Sequence, residues 1–306
     1  MNILREYTPL VEKFSIDEAF MDLTNTIDSK EDPVVLATTI KDRIYHELGF
    51  TVNVGISNNK LLAKMAGDFK KPNLVHTLFP EEIPKKMWPL DVRDLLFVGK
   101  ATYDKLNLLG IRTIGDLAHF DLKILNSHFG KNGTMLYEYA NGIDHSIVKT
   151  SKPDPKGYSN SITLSHDTTD SKEAKKILLS LCESLGTRLR EDNVLALVVC
   201  VSLTDCNFHN QSHQISLSSA TNTTNEIYKH VCNLFDELWD KKTPIRLLGV
   251  HVSKLTKEAY QQYSIFDFEQ PKSPNKLDQA LDEIRKKYGA DSVIRASLLS
   301  KESKYQ

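Results

Sequence analysis

The sequence lacks the features of a membrane or secreted protein. No stretch approaches the roughly 18 consecutive apolar residues that a membrane-spanning helix needs. The first residues, Met-Asn-Ile-Leu-Arg-Glu-Tyr, have no apolar segment behind a basic head, so we expect no signal peptide. We therefore expect a cytoplasmic protein.

Cysteine is scarce, with four residues in a chain of 306. They are Cys182, Cys200, Cys206 and Cys232. No two have the spacing Cys-x-x-Cys, and none belongs to a Cys/His zinc pattern. This excludes a small disulfide-stapled module and favours reduced thiols in a cytosolic protein.

Neither sign of charge dominates, because 39 Lys and Arg residues face 40 Asp and Glu residues. The formal net charge is −1. Composition alone therefore gives no indication of nucleic-acid binding, and any such function must be argued from local motifs. The hydrophobic fraction of 40% is that of an ordinary globular chain. The length suggests two or three domains, at about 100–200 residues per domain.

The first part of the chain has the pattern of an α/β layer. Residues 9–24 read as two short strands around an acidic turn. Residues 33–48 predict an amphipathic helix, which begins at a proline and ends before Gly49. Residues 50–57 predict a strand and residues 58–69 a helix, so the order is β-β-α-β-α.

The rest of the chain changes character twice. Residues 93–145 predict several short helices, and residues 149–157 read as a linker with two prolines and a glycine. The segment that follows predicts the order β-α-β-β-α-β of a small α+β module. Residues 276–288 predict one more helix. We therefore expect an α+β multidomain protein.

The turn of the first hairpin carries two adjacent carboxylates, Asp17 and Glu18, with Asp22 four residues further on. Carboxylate oxygens beside strands can hold a divalent cation. Paired Mg²⁺ ions stabilise both ends of an in-line phosphoryl displacement. The alternative for an isolated Asp-Glu pair is a solvated acidic turn.

The residues around this pair resemble a known family. Ser-Ile-Asp-Glu-Ala-Phe-Met-Asp-Leu-Thr at 15–24 resembles the signature of the Y-family DNA polymerases, the lesion-bypass group of the DinB/UmuC type. Residues 54–68 with Lys-Pro-Asn at 71–73 look like the family's second palm motif. Residues 88–117 look like its thumb, and residues 245–250 like the last strand of its little finger. The resemblance covers essentially the whole chain and looks closest to the Gram-positive ultraviolet-repair branch.

The resemblance implies a template-directed, error-prone translesion DNA polymerase that uses two Mg²⁺ ions and deoxynucleoside triphosphates on primer–template DNA. It divides the chain into a palm remnant at 1–79, a helix-hairpin-helix thumb at 80–148, a linker at 149–157, a little finger at 158–256 and a clamp-binding segment with a helix at 257–306.

The resemblance also assigns residues of the active site. Asp17 and Glu18 match the family's second and third catalytic and metal-binding carboxylates. Lys71 matches the lysine that contacts the incoming triphosphate, where a point charge offsets developing negative charge. We expect Asp22 to be structural.

The chain departs from the family pattern at its beginning. Members start with a strand that carries another catalytic aspartate, near an aromatic steric gate, and continue with the fingers. Here only 14 residues precede Ser15. We therefore expect an N-terminally truncated polymerase in which Mg²⁺ and nucleotide binding are weakened. The alternative is a catalytically inactive fragment that binds DNA and the sliding clamp.

Two regions are predicted to contact DNA. Residues 97–117 resemble a helix-hairpin-helix, in which Gly99, Lys100 and Thr102 would present backbone N–H groups and a helix start to a phosphate. Phe97 replaces the usual first glycine, so we expect part of the close approach to be lost. The alternative is a hairpin that only packs. In the little finger the predicted backbone contacts are Lys156, Ser159, Ser161, Thr163 and Arg246. The neutral net charge predicts modest affinity that weakens with salt.

A short peptide after the last strand predicts a protein partner. Gln262-Tyr263-Ser264-Ile265-Phe266 is similar to the Gln-Leu-Ser-Leu-Phe peptide with which bacterial polymerases bind the sliding clamp. Ile265 and Phe266 would be apolar anchors, with polar contacts from Gln262 and Ser264. Tyr263 is a departure, since leucine is commoner there.

Overall fold

The computed structural model describes residues 1–26, 32–151, 154–257 and 276–298. The chain divides into two compact units, Met1–Lys152 and Pro153–Gln306, and each has its own hydrophobic core. The point of division falls within the predicted linker at 149–157. The predicted boundary between palm and thumb at residue 80 stays a prediction.

The first half of unit 1 contains two separate two-stranded sheets. Strand β1 (Val11–Lys13) pairs antiparallel with β2 (Ala19–Met21), and β3 (Val54–Ile56) pairs parallel with β4 (Val75–Thr77). The helices of this part are α1 (Asn2–Arg5), α2 (Pro33–Leu48) and α3 (Lys60–Asp68). The order β-β-α-β-α is the predicted one for residues 9–69, although only residues 54–56 of the predicted strand at 50–57 pair.

Helix α2 has both of its predicted end signals. The Asp32 carboxylate accepts a hydrogen bond from the Val34 amide at 2.8 Å and so caps the start of the helix. Gly49 ends the helix with φ of 76°, a left-handed conformation that glycine adopts without strain. Between these ends Ile40 and Ile44 are buried and pack against α1.

The second half of unit 1 is helical. Its helices are α4 (Ile83–Lys86), α5 (Lys100–Leu108), α6 (Ile114–Ala118), α7 (Leu122–Phe129) and α8 (Lys131–Ala140). They share one core with α3, since Leu62, Leu106 and Leu125 belong to a single buried cluster. Apolar burial of this kind contributes about 25 cal/mol per Å². The position of α3 is therefore fixed by the helical part of the unit.

Unit 2 is a four-stranded antiparallel sheet with two helices on one face. Its elements are β5 (Gly157–Thr168), α9 (Ser171–Glu191), β6 (Leu195–Asp205), β7 (Asn210–Thr221), α10 (Thr224–Leu238) and β8 (Ile245–Thr256). The strand order is β5-β8-β6-β7. The predicted order β-α-β-β-α-β is confirmed. The core lies between the sheet and the helices, where Leu185, Val201 and Phe235 are fully buried.

The four cysteines are free thiols, and Cys182 lies in the core of unit 2. Burial raises the pKa of the Cys182 thiol well above its usual range. In the part of the chain that the structure describes, no helix is long and apolar enough to cross a bilayer.

A last helix, α11 (Lys276–Tyr288), docks on unit 2 through charged side chains. Asp278 is buried and its carboxylate accepts from the Thr224 amide at 3.0 Å, at the start of α10. Arg190 of α9 pairs with Asp282 at 2.5 Å and with Asp278 at 3.3 Å. Arg285 of α11 donates to Glu183 of α9 at 3.4 Å. The docking of this helix therefore depends on ion pairs that are largely shielded from water.

Replacing Arg190 with methionine should release α11 from the helix pair. Asp278 and Asp282 would then lose their shared cation in a shielded site, at about 3 kcal/mol of local stability. We expect faster hydrogen exchange of α11 amides in Arg190→Met. Lys176→Met, on the exposed side of α9, is the matched control. Unchanged α11 exchange in Arg190→Met would show that the ion pairs do not hold the helix.

Candidate active site and nucleic-acid interface

The acidic turn between β1 and β2 carries Asp17 and Glu18. Two backbone hydrogen bonds close the turn, because the amides of Phe14 and Ser15 donate to the Glu18 carbonyl at 3.0 and 3.2 Å. The Ser15 hydroxyl donates to the Asp17 carboxylate at 2.7 Å, and this contact is the main cause that lowers the pKa of Asp17. Asp17 is therefore an exposed, ionised carboxylate at neutral pH.

A chain of ion pairs leads from this turn to Lys71. The Lys64 ammonium lies 2.5 Å from the Glu18 carboxylate and 2.8 Å from that of Asp68. The Lys71 ammonium lies 2.9 Å from the other oxygen of Asp68. The four charges alternate in sign, and Lys64 and Asp68 share the helix α3. Sequence reasoning singled out Glu18 and Lys71 but missed the two residues that connect them.

The two α3 residues have pKa values that follow from this pairing. Burial alone would raise the pKa of Asp68, but Lys64 and Lys71 outweigh it, so the pKa lies below its usual value. Burial likewise opposes the charge of Lys64, and Asp68 and Glu18 reverse the effect and raise its pKa. Both residues are therefore charged at neutral pH.

Asp17, Glu18 and Lys71 line one cavity of about 1260 Å³ in unit 1. Lys64 and Asp68 line the same cavity. The fold thus brings together carboxylates and a lysine that are more than 50 positions apart in the sequence. A cavity with both signs of charge at one wall suits a ligand that carries phosphate groups and a metal cation.

Asn53 braces the loop that carries Lys71. Its side-chain amide donates to the carbonyls of Gly67 at 3.1 Å and Lys70 at 2.7 Å. Its side-chain oxygen accepts from the Leu74 amide at 3.1 Å. One side chain therefore holds both ends of the loop between α3 and β4. Sequence reasoning missed it, because its partners lie 14 to 21 residues away.

Glu12 of β1 ties the hairpin to the rest of unit 1. Its carboxylate accepts from the Lys60 ammonium and from the Lys149 amide, each at 2.7 Å. Hydrogen bonds from Lys60 and Lys149 outweigh burial and lower the pKa of Glu12. No local pattern marks this residue, since one partner lies 137 positions away.

Asp22 has a local contact of its own at the end of β2. Its carboxylate accepts from the Thr24 amide at 2.9 Å, which is an Asx turn. Its amide donates to the Leu10 carbonyl at 3.0 Å in the hairpin ladder. The expectation that Asp22 is structural stays a prediction, and these contacts support it.

The predicted helix-hairpin-helix lies in the helical half of unit 1, where α5 and α6 follow each other across a short turn. Gly99 precedes α5, and within the described residues no side chain caps the helix start. Lys100 is exposed and Thr102 is half-buried on the first turn. Phe97 has φ of 69°, so it keeps the left-handed backbone that glycine would favour at this place.

The uncovered face of the unit 2 sheet carries the residues predicted on its first strand. Ser159, Ser161 and Thr163 are exposed on β5, while Tyr158, just before them, packs into the core. Ser161 pairs with Gly249 of β8. Any side chain at position 249 would place its Cβ only 2.5 Å from the Ser202 hydroxyl, so glycine avoids a clash there. This face is therefore a surface of small hydroxyl side chains. Lys156 is exposed just before the strand.

Arg246, the fifth predicted contact, is already paired within unit 2. Its guanidinium donates to both oxygens of Asp167, at 3.0 and 2.7 Å, and lies 4.5 Å from the centre of the Phe208 ring. The hydrogen bond from Arg246 lowers the pKa of Asp167. The charge of Arg246 is thus offset locally, which sequence reasoning did not foresee. The predicted clamp residues Gln262, Ser264, Ile265 and Phe266 lie outside the described residues.

Three family models match the chain. The model of the impB/mucB/samB family matches residues 1–68, and that of its C-terminal domain matches residues 155–265. The model of the DNA polymerase-iota thumb domain matches residues 93–144. The matches therefore fall on the acidic hairpin, the helical half of unit 1 and the sheet of unit 2.

Whole-chain relatives agree with these models. DNA polymerase IV of Clostridium acetobutylicum is 47% identical over 304 residues, which cover 99% of this chain and 76% of that protein. DNA polymerase IV 2 of Bacillus subtilis is 39% identical over 307 residues, which cover 97% and 74%. A solved Y-family DNA polymerase chimera of Dbh and Dpo4 superposes with a TM-score of 0.71 at 26% identity, covering 83% of this chain and 74% of that one.

The chain belongs to the Y-family DNA polymerases, a family of DNA-directed DNA polymerases. Within that family it groups with DNA polymerase IV, the translesion repair type, and it spans about three quarters of the length of these relatives. The predicted family is confirmed. So is the predicted fold class, with a palm region, a helix-hairpin-helix thumb and an α+β little finger.

Membership in this family implies dependence on Mg²⁺. The donor set at the acidic turn fits this ion, because Mg²⁺ prefers oxygen ligands and is commonly bound by one or two carboxylates together with substrate phosphates. Asp17 and Glu18 supply two such carboxylates. Among the described residues no group of three or more His, Cys, Asp or Glu side chains could hold a metal ion.

The ion-pair chain predicts a change in the titration of Asp68. In Lys64→Met the pKa of Asp68 should rise, because one of its two cations is lost while its burial remains. We expect a carboxyl-carbon NMR titration to show this rise, and no rise in the control Lys70→Met, whose exposed side chain lies outside the chain of pairs. The lowered pKa means that Asp68 stabilises the native state above about pH 4 and stops doing so as the pH falls further. An unchanged pKa in Lys64→Met would contradict the assigned pairing.

Proposed function

We propose that the cavity in unit 1 is the site of Mg²⁺-dependent nucleotidyl transfer of a template-directed translesion DNA polymerase. The observation that carries this proposal is the meeting of Asp17, Glu18 and Lys71 at one cavity wall. The substrates would be primer–template DNA and deoxynucleoside triphosphates.

Asp17 and Glu18 would hold the metal. Bound Mg²⁺ supplies charge neutralisation at the phosphates and activation of the attacking oxygen. Asp17 is exposed and kept anionic by Ser15, so it is available as a ligand. Glu18 would exchange its contact with Lys64 for the metal, while Lys64 keeps Asp68. With two carboxylates only, we propose that the metal binds weakly until the triphosphate adds its own oxygens.

Lys71 would bind the triphosphate. Its side chain is 60% exposed, and Asp68 holds its ammonium at 2.9 Å. A lysine presents a point charge that a phosphate oxygen can approach from several directions. The charge would stabilise the negative charge that develops on the phosphates during transfer.

DNA would be held through its sugar–phosphate backbone. On unit 1 the start of α5, with Gly99, Lys100 and Thr102, offers N–H groups and one cation. On unit 2 the exposed hydroxyls of Ser159, Ser161 and Thr163 and the nearby Lys156 offer further donors. Contacts of this kind position a duplex without reading its sequence. Arg246 would contribute only by sharing its guanidinium with Asp167.

A second candidate function is a catalytically inactive protein that binds DNA and the sliding clamp. The number of carboxylates favours this inactive protein. The described residues place two carboxylates at the turn, and no third acidic ligand lies beside them. In this case the backbone contacts to DNA would be the same. The two candidates differ only in whether nucleotides are added to a primer.

Primer extension separates the two candidates. With Mg²⁺ and deoxynucleotides we expect template-directed extension, reduced by roughly a hundredfold to a thousandfold in Asp17→Ala/Glu18→Ala because the metal ligands are lost. Asp22→Asn keeps the acceptor for Thr24 and should extend like the parent. Absence of extension by the parent, with duplex binding retained, would refute the catalytic proposal and leave the second candidate.

The predicted clamp contact is tested separately. We expect purified bacterial sliding clamp to bind the chain and to lose most of this binding in Ile265→Ala/Phe266→Ala, because two buried apolar anchors are removed. Tyr263→Ala, at the position that departs from the peptide pattern, should have a smaller effect. Clamp binding that survives the double substitution in a pull-down would refute this contact.

A further inference from the structure

Phe97 has a backbone conformation that is unfavourable for its side chain. Its φ of 69° lies in the left-handed region, where the Cβ of an L-residue crowds the following carbonyl. Bulky residues are rare there, and glycine is the usual choice. The fold therefore does not gain stability from having phenylalanine at this position.

The ring of Phe97 is also exposed, with 58% of its surface accessible. The residues around it are not, since Leu95 is 2% and Val98 is 8% exposed in the core of unit 1. The one described ring near Phe97 is that of Tyr139, with the ring centres 6.1 Å apart. A large apolar side chain that is both exposed and backbone-strained points to a function other than packing.

A second phenylalanine shows what a structural explanation would look like. Phe208 of unit 2 also has a positive φ, 65°, and is 70% exposed. Its ring, however, carries the guanidinium of Arg246 at 4.5 Å, which accounts for its position. In the described cation–ring contacts of unit 1, Arg93 lies over Tyr103 and no cation lies over Phe97. The ring of Phe97 is left without such a partner.

The place of Phe97 in the hairpin suggests the missing partner. It lies two residues before Gly99, which precedes α5, and three residues before the exposed Lys100. The apolar part of DNA nearest to any phosphate is the deoxyribose attached to it. Aromatic and other apolar side chains contact apolar parts of DNA elsewhere, between base steps in the minor groove and on the faces of single-stranded bases.

We infer that Phe97 is a DNA-contact residue, whose ring packs against the deoxyribose beside the phosphate bound at the start of α5. The inference rests on the proposed DNA-binding role of this hairpin. Because every nucleotide carries the same sugar, the contact does not depend on sequence, as a polymerase requires. It would also replace, by apolar contact, part of the close backbone approach that glycine allows.

Three substitutions of Phe97 distinguish the effect of losing the ring contact with DNA from the effect of relieving the left-handed backbone. Phe97→Ala and Phe97→Gly both remove the ring, but only Phe97→Gly also relieves the left-handed backbone. Phe97→Trp keeps a ring and keeps the strain. We expect Phe97→Gly to melt at a higher temperature than Phe97→Ala, yet both should bind a fluorescein-labelled primer–template duplex at least about fivefold more weakly than the parent. Phe97→Trp should bind like the parent, and its added indole fluorescence should change when duplex is added.

Two further variants identify the kind of contact. Lys100→Ala should weaken binding and reduce the slope of log affinity against log salt by about one, because a phosphate contact is lost. The alanine and glycine variants at Phe97 should leave that slope unchanged, since no ion is released by an apolar contact. Leu108→Ala is the matched control, because Leu108 is also an exposed apolar residue and lies at the far end of α5.

The outcomes distinguish this inference from the proposed function. If Phe97→Ala and Phe97→Gly bind duplex as tightly as the parent while Lys100→Ala binds more weakly, the Phe97 contact is refuted and the DNA-binding hairpin stands. If Phe97→Gly binds more tightly than the parent, the ring obstructs DNA and the inference is likewise overturned. If the parent does not bind duplex at all, both the inference and the DNA-binding proposal fail.

Discussion

The ion pair between Lys64 and Glu18 is the contact on which the geometry of the candidate active site depends. Strands β1 and β2 have only three residues each, and a two-stranded hairpin of this size is marginal by itself. The position of its acidic turn must therefore come from outside the hairpin. Helix α3 holds the hairpin in place through two ion pairs, Lys64 with Glu18 and Lys60 with Glu12. Because α3 is buried in the core of the helical half, the turn inherits the rigidity of that core.

The alternating charges would also allow ligands to bind without leaving the half-buried Lys64 unpaired. In the proposed site a cation at Glu18 would displace Lys64, and a triphosphate at Lys71 would displace Asp68. The two displaced residues remain 2.8 Å apart and neutralise each other. An unpaired charge on the half-buried Lys64 would oppose binding, so this arrangement reduces the free-energy cost of exchanging partners. The proposed site could therefore accept ligands of both signs at once.

The near-zero net charge is consistent with DNA binding once the two units are considered separately. Unit 1 places the ion-pair chain of Glu18, Lys64, Asp68 and Lys71 at one cavity, the proposed site for a phosphate chain and a metal ion. Unit 2 presents hydroxyls such as Ser159, Ser161 and Thr163, which donate hydrogen bonds without a net charge. The guanidinium of Arg246 in this unit is offset by Asp167. The proposed contacts to backbone oxygens would therefore be mainly hydrogen bonds, which do not require a basic surface.

Local signals in the sequence predicted most helices and strands. The geometry of the candidate active site, by contrast, depends on contacts between residues far apart in the sequence. The helix at 33–48 was predictable because Pro33 and Gly49 mark its ends within the segment itself. The contacts of Lys64 with Glu18, of Asn53 with Gly67 and of Glu12 with Lys149 were not predictable, because they join residues between 14 and 137 positions apart. Arg246 shows the same limit, since Asp167 lies 79 residues before it, on the neighbouring strand.

At Phe97 the sequence predicted one part of the outcome, and only the structure showed the other. The sequence marks it as a departure from the glycine of the hairpin pattern, and loss of close approach was the natural expectation. The structure shows that the backbone keeps the left-handed conformation that glycine would adopt, with φ of 69°. What changes is therefore the side chain that this conformation carries outward. A sequence motif records which residue is unusual, whereas only the fold shows whether the backbone or the side chain carries the consequence.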